Sequence, residues 1–147
     1  MIKEGFYENG IFRFILEFPQ NFPSKIPLFT FKSSIYHPMI SNEGILDLDS
    51  LFPEWSLSTG NQLINLLTKV RSALSEKQFF ENENSFNPEA AFIFKKTPEI
   101  FLEKTLESAK QSKITFYKLP DDCPYKFDQL LKVPEDIKNV LENQEVS

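Results

Sequence analysis

At 147 residues, with 41% hydrophobic and 25% charged residues, the chain has the size and composition of one globular domain able to bury a core. Its 16 Lys and Arg against 21 Asp and Glu leave a net charge of −5, which argues against nucleic acid or an anionic membrane as partner. One Cys (Cys123) and one His (His37) exclude an internal disulfide, a zinc cluster and a multi-His metal site, and no apolar run approaches the ~20 residues of a membrane span.

Strands come first. From Ile11 to Phe18, Phe12, Phe14, Leu16 and Phe18 alternate with Ile11, Arg13, Ile15 and Glu17, the period of a half-solvated strand. Asn9-Gly10 is a hairpin turn signal and predicts a partner strand in residues 2–8. Pro19, Pro23 and Pro27 mark a loop, and Leu28 to Lys32 reads as the next strand of an antiparallel meander. Residues 37–58 read as an irregular segment, long for a compact domain and therefore a candidate functional region.

Helices follow. Leu63, Leu66, Leu67, Val70 and Leu74 form one apolar stripe at helical spacing. A polar break spans 75–85. Asn87-Pro88-Glu89 then combines a cap, a first-turn proline and a first-turn acid, with Ala90, Ala91 and Phe94 behind it. Thr97-Pro98-Glu99 repeats the signal and opens a helix to about Lys113, with Phe101, Leu102, Thr105, Leu106 and Ala109 inward. The tail, punctuated by Pro120, Pro124 and Pro134, reads as extended up to a short helix at 135–143. Strands followed by helices give an α+β class.

The order of these signals resembles the ubiquitin-conjugating-enzyme family. Tyr7-Glu8-Asn9-Gly10-Ile11-Phe12 is similar to its first hairpin, and Phe18-Pro19-Gln20-Asn21-Phe22-Pro23 with Pro27 to its proline segment. Tyr36-His37-Pro38, Trp55-Ser56 and Asn87-Pro88-Glu89-Ala90-Ala91 follow in the family's order. The resemblance implies a four-stranded antiparallel meander packed on helices. It implies a domain over 1–113, shortened at its N-terminus by the family's first helix and most of its first strand, and an extension over 114–147. It also implies that His37 and Pro38 hold the turn near the active site, and that Trp55 packs beneath 37–58 and fixes it against the following helix.

The chemistry implied by the family does not carry over. Aligned without a gap, Met39 stands where the family has the Asn that supports an oxyanion, and Asp47 where it has the Cys that forms the thioester. Cys123 lies far away in the tail. Asp47 and Asp49 read as a solvated turn or a cap, with no further metal ligand nearby. No catalytic, cofactor or metal residues are expected.

The resemblance therefore points to the catalytically inert variants; Gly44 to Leu48, Phe52-x-x-Trp55 and Asn87 to Ala91, with Asp122, Pro124 and Tyr125 in the tail, resemble the fused toes (AKT-interacting) subgroup among them. It implies an adaptor, with a Hook-type coiled coil and a large helical scaffold protein as partners. Two alternatives stand: a variant serving as cofactor of an active conjugating enzyme, and an accessory subunit of an organellar, for example mitochondrial, assembly. An intracellular and cytoplasmic chain is expected under the first two. The shortened first strand predicts an uncovered edge at residues 1–12 and partner contacts there and at 114–133. Candidate contact residues are Phe6, Tyr7, Phe116, Tyr117, Tyr125 and Phe127.

Overall fold

The computed structural model describes residues 2–55 and 62–118. In chain order these hold strands β1 (Phe14–Glu17) and β2 (Leu28–Phe31) and helices α1 (Leu48–Leu51) and α2 (Gln62–Ala73). A 3-10 turn (Lys77–Phe80) and helices α3 (Pro88–Lys96) and α4 (Pro98–Tyr117) complete them. β1 and β2 are antiparallel, with Phe14 opposite Phe31 and Glu17 opposite Leu28.

The expected four-stranded meander is reduced, among the described residues, to this two-stranded ladder and two isolated bridges, Thr30 to Ile45 and Ile40 to Leu46. Segment 40–46 still runs along β2: Phe31 N–H donates to the Gly44 carbonyl (2.8 Å) and Leu46 N–H to the Phe29 carbonyl (3.0 Å). Gly44 allows the close approach. Its φ is 88°, and a Cβ there would collide with the Phe31 carbonyl oxygen.

Residues 2–8 do not form the predicted partner strand. Asn9 (φ 65°) and Gly5 (φ 95°) both adopt left-handed backbone and bend the segment into turns. These close through Asn9 N–H to the Ile2 carbonyl (2.8 Å) and Gly10 N–H to the Tyr7 carbonyl (2.9 Å). Part of segment 2–12 is covered from within the chain, at Phe6, Tyr7 and Ile11. α4 meets it through Phe101, which packs on Phe6, and Ser112, whose Oγ accepts from Ile11 N–H (3.0 Å); Ser108 Oγ accepts from Tyr36 N–H (2.9 Å).

α4 achieves this with a stripe of small side chains. Thr105, Ser108, Ala109 and Ser112 are all buried, so backbone can approach the helix closely. That rotation leaves Leu102 and Leu106, expected inward, exposed. The helix also runs past Lys113 to Tyr117, so Phe116 and Tyr117 are half-buried residues of its last turn. In α2 the stripe divides: Leu66 and Val70 are buried, whereas Leu63 and Leu67 are more than 40% exposed.

The core is aromatic. Phe80 comes from the stretch expected to be a polar break, yet it is fully buried and packs on Phe94 and Phe101 with ring centroids 5.5 Å away in each case. Phe6 meets the same three rings edge-on at 4.9–5.8 Å. Such pairs add about 0.5–1.5 kcal/mol each beyond the area they bury.

His37 joins this core to the irregular segment. It is fully buried, its Nδ1 accepts from Met39 N–H (3.0 Å), and its Nε2 lies 2.8 Å from the Ala73 carbonyl. The Met39 amide can only donate, so Nδ1 carries no proton and Nε2–H donates to Ala73. That carbonyl belongs to the last turn of α2 and has no partner within its helix. Burial lowers the His37 pKa to about 4, outweighing the opposite pull of the Ala73 carbonyl.

Two outcomes follow from this packing. The single histidine resonance of the folded chain should titrate near pH 4, and a midpoint near 6.5 would contradict the buried neutral ring. Above pH 6.5 the imidazole is neutral whether the chain is folded or not. Between 6.5 and about 4 only the unfolded chain takes up the proton, so His37 removes about 3 kcal/mol of stability across that window, readable in urea melts. Gly44→Ala should cost at least about 2 kcal/mol in the same melts, through left-handed strain and the collision with Phe31.

Candidate functional site

The hydrogen-bond chain that begins at His37 runs on into the candidate site. Met39 N–H donates to the imidazole, and the Met39 carbonyl accepts from Asp47 N–H (2.8 Å). The Pro38 carbonyl accepts from Asn87 N–H (2.7 Å), which ties the turn to the start of α3. There the Asn87 side chain caps the helix by accepting from Ala90 N–H (3.2 Å). His37, Pro38, Met39 and Asp47 are thus brought together.

Asp47 is buried and caps α1. Its Oδ1 accepts from Ser50 N–H (3.1 Å), and its Oδ2 accepts from the hydroxyls of Ser50 (2.6 Å) and Ser85 (2.6 Å). The carboxylate is therefore held by three donors. Asp49, in the first turn of α1, is exposed. Of the two expected readings Asp47 is the cap, and it is buried rather than solvated. Ser50 was legible as the third residue after a capping Asp. Ser85 was not, because it arrives from a distant loop and only folding sets it opposite Asp47.

Met39 is buried in the core cluster, and its hydrogen bonds are those of its backbone. A thioether cannot donate a hydrogen bond to a developing oxyanion. Among the described residues no three His, Cys, Asp or Glu side chains gather to hold a metal ion.

Trp55 differs from expectation. It is half-buried; its Nε1–H donates to the Pro23 carbonyl (2.7 Å), and its ring meets Phe52 edge-on at 5.5 Å. It pins the proline loop to the exit of α1, because the indole N–H finds its acceptor there. A cleft of about 470 Å³ opens beside the site between loop 32–36, the turn at Asn42–Gly44 and α4. Lys104 lies over the Tyr36 ring there, 4.7 Å from its centroid.

Of the expected contact residues, Tyr7 is fully buried and donates its hydroxyl proton to the Tyr36 carbonyl, so it offers no surface to a partner. Burial raises its pKa, with a smaller contribution from Tyr36. Phe6 is half-buried in the aromatic cluster. Tyr125, Phe127 and Cys123 lie outside the described residues.

Comparison with known proteins gives a consistent result. The ubiquitin-conjugating enzyme family matches residues 1–109. An AKTIP homolog of Nematostella vectensis is 31% identical over 97% of this chain and 49% of its own. The AKT-interacting protein of Homo sapiens is 28% identical over 74% of this chain and 37% of its own. The chain thus spans half or less of the length of these relatives. A solved structure described as a ubiquitin-conjugating enzyme, from Plasmodium yoelii, superposes with a TM-score of 0.58 at 27% identity, covering 74% of this chain and 68% of its own. No helix among the described residues is long and apolar enough to cross a membrane. The α+β arrangement, the sequence match and the superposition agree: the chain belongs to the ubiquitin-conjugating-enzyme family.

Proposed function

We propose that the chain is a non-catalytic member of this family that works by binding other proteins, as an adaptor or a structural subunit of a larger complex. The observation that carries this reading is the state of Asp47. It occupies the position of the family's nucleophile, and its carboxylate is committed to Ser50 and Ser85. A carboxylate is a weak nucleophile towards a thioester, and this one is further quieted by three donors. The sole Cys is Cys123, far along the chain. Met39 at the oxyanion position brings no amide.

The names of the AKT-interacting relatives describe proteins that bind another protein, and by resemblance the partner of this chain is a Hook-type coiled coil or a helical scaffold. The surface that fits such a partner is the exposed apolar side of the helical layer, Phe92 of α3 with Leu102 and Leu106 of α4. On this reading residues 1–113 are the binding domain and 114–147 an extension that adds to it.

The chemical test is direct. Incubated with activating enzyme, ATP and ubiquitin, the chain should form no adduct sensitive to reducing agent, and a sensitive adduct that persists in Cys123→Ser would overturn the reading. Asp47→Cys should lower stability by about 2 kcal/mol, since the cap is lost and Ser85 loses its acceptor. For the binding role, the purified chain should co-elute with a Hook-type coiled coil. Leu102→Asp with Leu106→Asp should abolish co-elution, and Asp47→Asn should leave it intact.

A further inference from the structure

One side of β1 carries unpaired backbone. Lys32 N–H donates to the Arg13 carbonyl (2.8 Å), and in the alternating pattern of an antiparallel pair this turns the N–H and C=O of Phe14 and Leu16 away from β2. α4 bonds the strand at Ile11 and Arg13, before Phe14. Among the described residues no group pairs with the outward N–H and C=O groups of Phe14 and Leu16. Neither lysine nor proline blunts the edge between Ile11 and Phe18, and the strand is apolar: Phe14 is 44% exposed, Ile15 43% and Phe18 51%.

The charges of the strand are unmet as well. Arg13, Ile15 and Glu17 share one of its faces. Among the described residues neither Arg13 nor Glu17 has an ion-pair partner. Arg13 instead bonds the Thr115 carbonyl (3.3 Å) and sits across the ladder from Lys32, a like charge.

We propose that a second copy of this chain occupies the edge, its β1 running antiparallel to the first about a twofold axis at Ile15. In that register Phe14 lies opposite Leu16 of the second copy, and the outward N–H and C=O groups of both bond in both directions. Ile15 meets Ile15, and Arg13 meets Glu17 at both ends of the pair. Charge selects this register. A shift by two residues sets Arg13 against Ile15, or Ile15 against Glu17, and a shift by one sets outward groups against inward ones. On the other face Phe18 of the second copy comes opposite Phe12. Phe12 lines a groove of about 660 Å³ with Phe14 and with Leu67, Val70 and Leu74 of α2, which suits an aromatic anchor. The net charge of −5 does not oppose the contact locally, because the strand from Ile11 to Phe18 holds one Arg and one Glu.

Sedimentation of the full chain over a concentration series tests the proposal. A monomer–dimer equilibrium is expected, with a dissociation constant on the order of 10–100 μM for so small a contact. Exchange of the Phe14 and Leu16 amides should slow as concentration rises, while that of Phe94 and Phe101 stays constant. Arg13→Glu and Glu17→Arg each set like charges opposite one another at both ends, and each should weaken dimerisation on the order of tenfold or more. An equimolar mixture of the two variants regains both opposite-charge pairs and should dimerise as the unmodified chain does. Misfolding cannot produce that pattern of failure alone and success together. Three results would overturn the proposal. The first is a monomer up to ~1 mM. The second is protection of Phe14 and Leu16 that does not change with dilution, which would assign the edge to another segment of the same chain. The third is dimerisation that the single variants retain or that their mixture does not recover. A thioester result, positive or negative, leaves this test unaffected.

Discussion

A neutral imidazole with both nitrogens engaged sets the geometry on which the rest of the molecule depends. His37 satisfies an orphan carbonyl at the end of α2 and the amide of Met39 at once. It can do so only uncharged, since a protonated ring would point an N–H at another N–H. The energy that keeps it neutral is its desolvation, and that exists because Tyr7, Phe80 and their neighbours close over the ring. Through Met39 the same constraint fixes Asp47, and through Pro38 it fixes the start of α3. A segment with little regular structure is thereby tied to the end of α2 and the start of α3.

The second support is the fit of α4. Its inner face is made of Thr105, Ser108, Ala109 and Ser112, side chains too small to hold backbone away. The hydroxyls accept from the amides of Tyr36 and Ile11, two donors that the short sheet leaves unpaired. They also donate back to carbonyls of their own helix, Ser108 to Lys104 and Ser112 to Ala109, so neither half of the hydroxyl is left without a partner. The sheet can be small because a helix completes its hydrogen bonding.

The candidate site is built around the buried carboxylate of Asp47. A buried carboxylate without donors would be costly, and the two serines remove that cost. The arrangement stabilises the turn and the first residues of α1. Asp47 caps α1 as Asn87 caps α3.

Much of this was legible in the residues. Asn87-Pro88-Glu89 and Thr97-Pro98-Glu99 place two helix starts unambiguously, because capping chemistry is local and acts over three residues. The ordered motifs from Tyr7 to Ala91 carried the family, and their spacing singled out Met39 and Asp47 as candidate site residues. What the sequence did not disclose was set by contacts between distant segments. Residues 2–8 turn rather than extend because α4 and the aromatic cluster hold them, which Asn9-Gly10 alone cannot show. Phe80 sits in a polar stretch and is central only because α3, α4, Phe6 and His37 converge on it. Leu102 and Leu106 follow a correct helical period, yet they face outward, since the period fixes which residues share a face and the neighbours decide which face is buried. Ser85 reaches Asp47 only after the chain has folded. Local chemistry determined the elements and the identity of the site residues. Tertiary packing decided which surfaces they cover, because burial is a property of the neighbours and no single segment contains them.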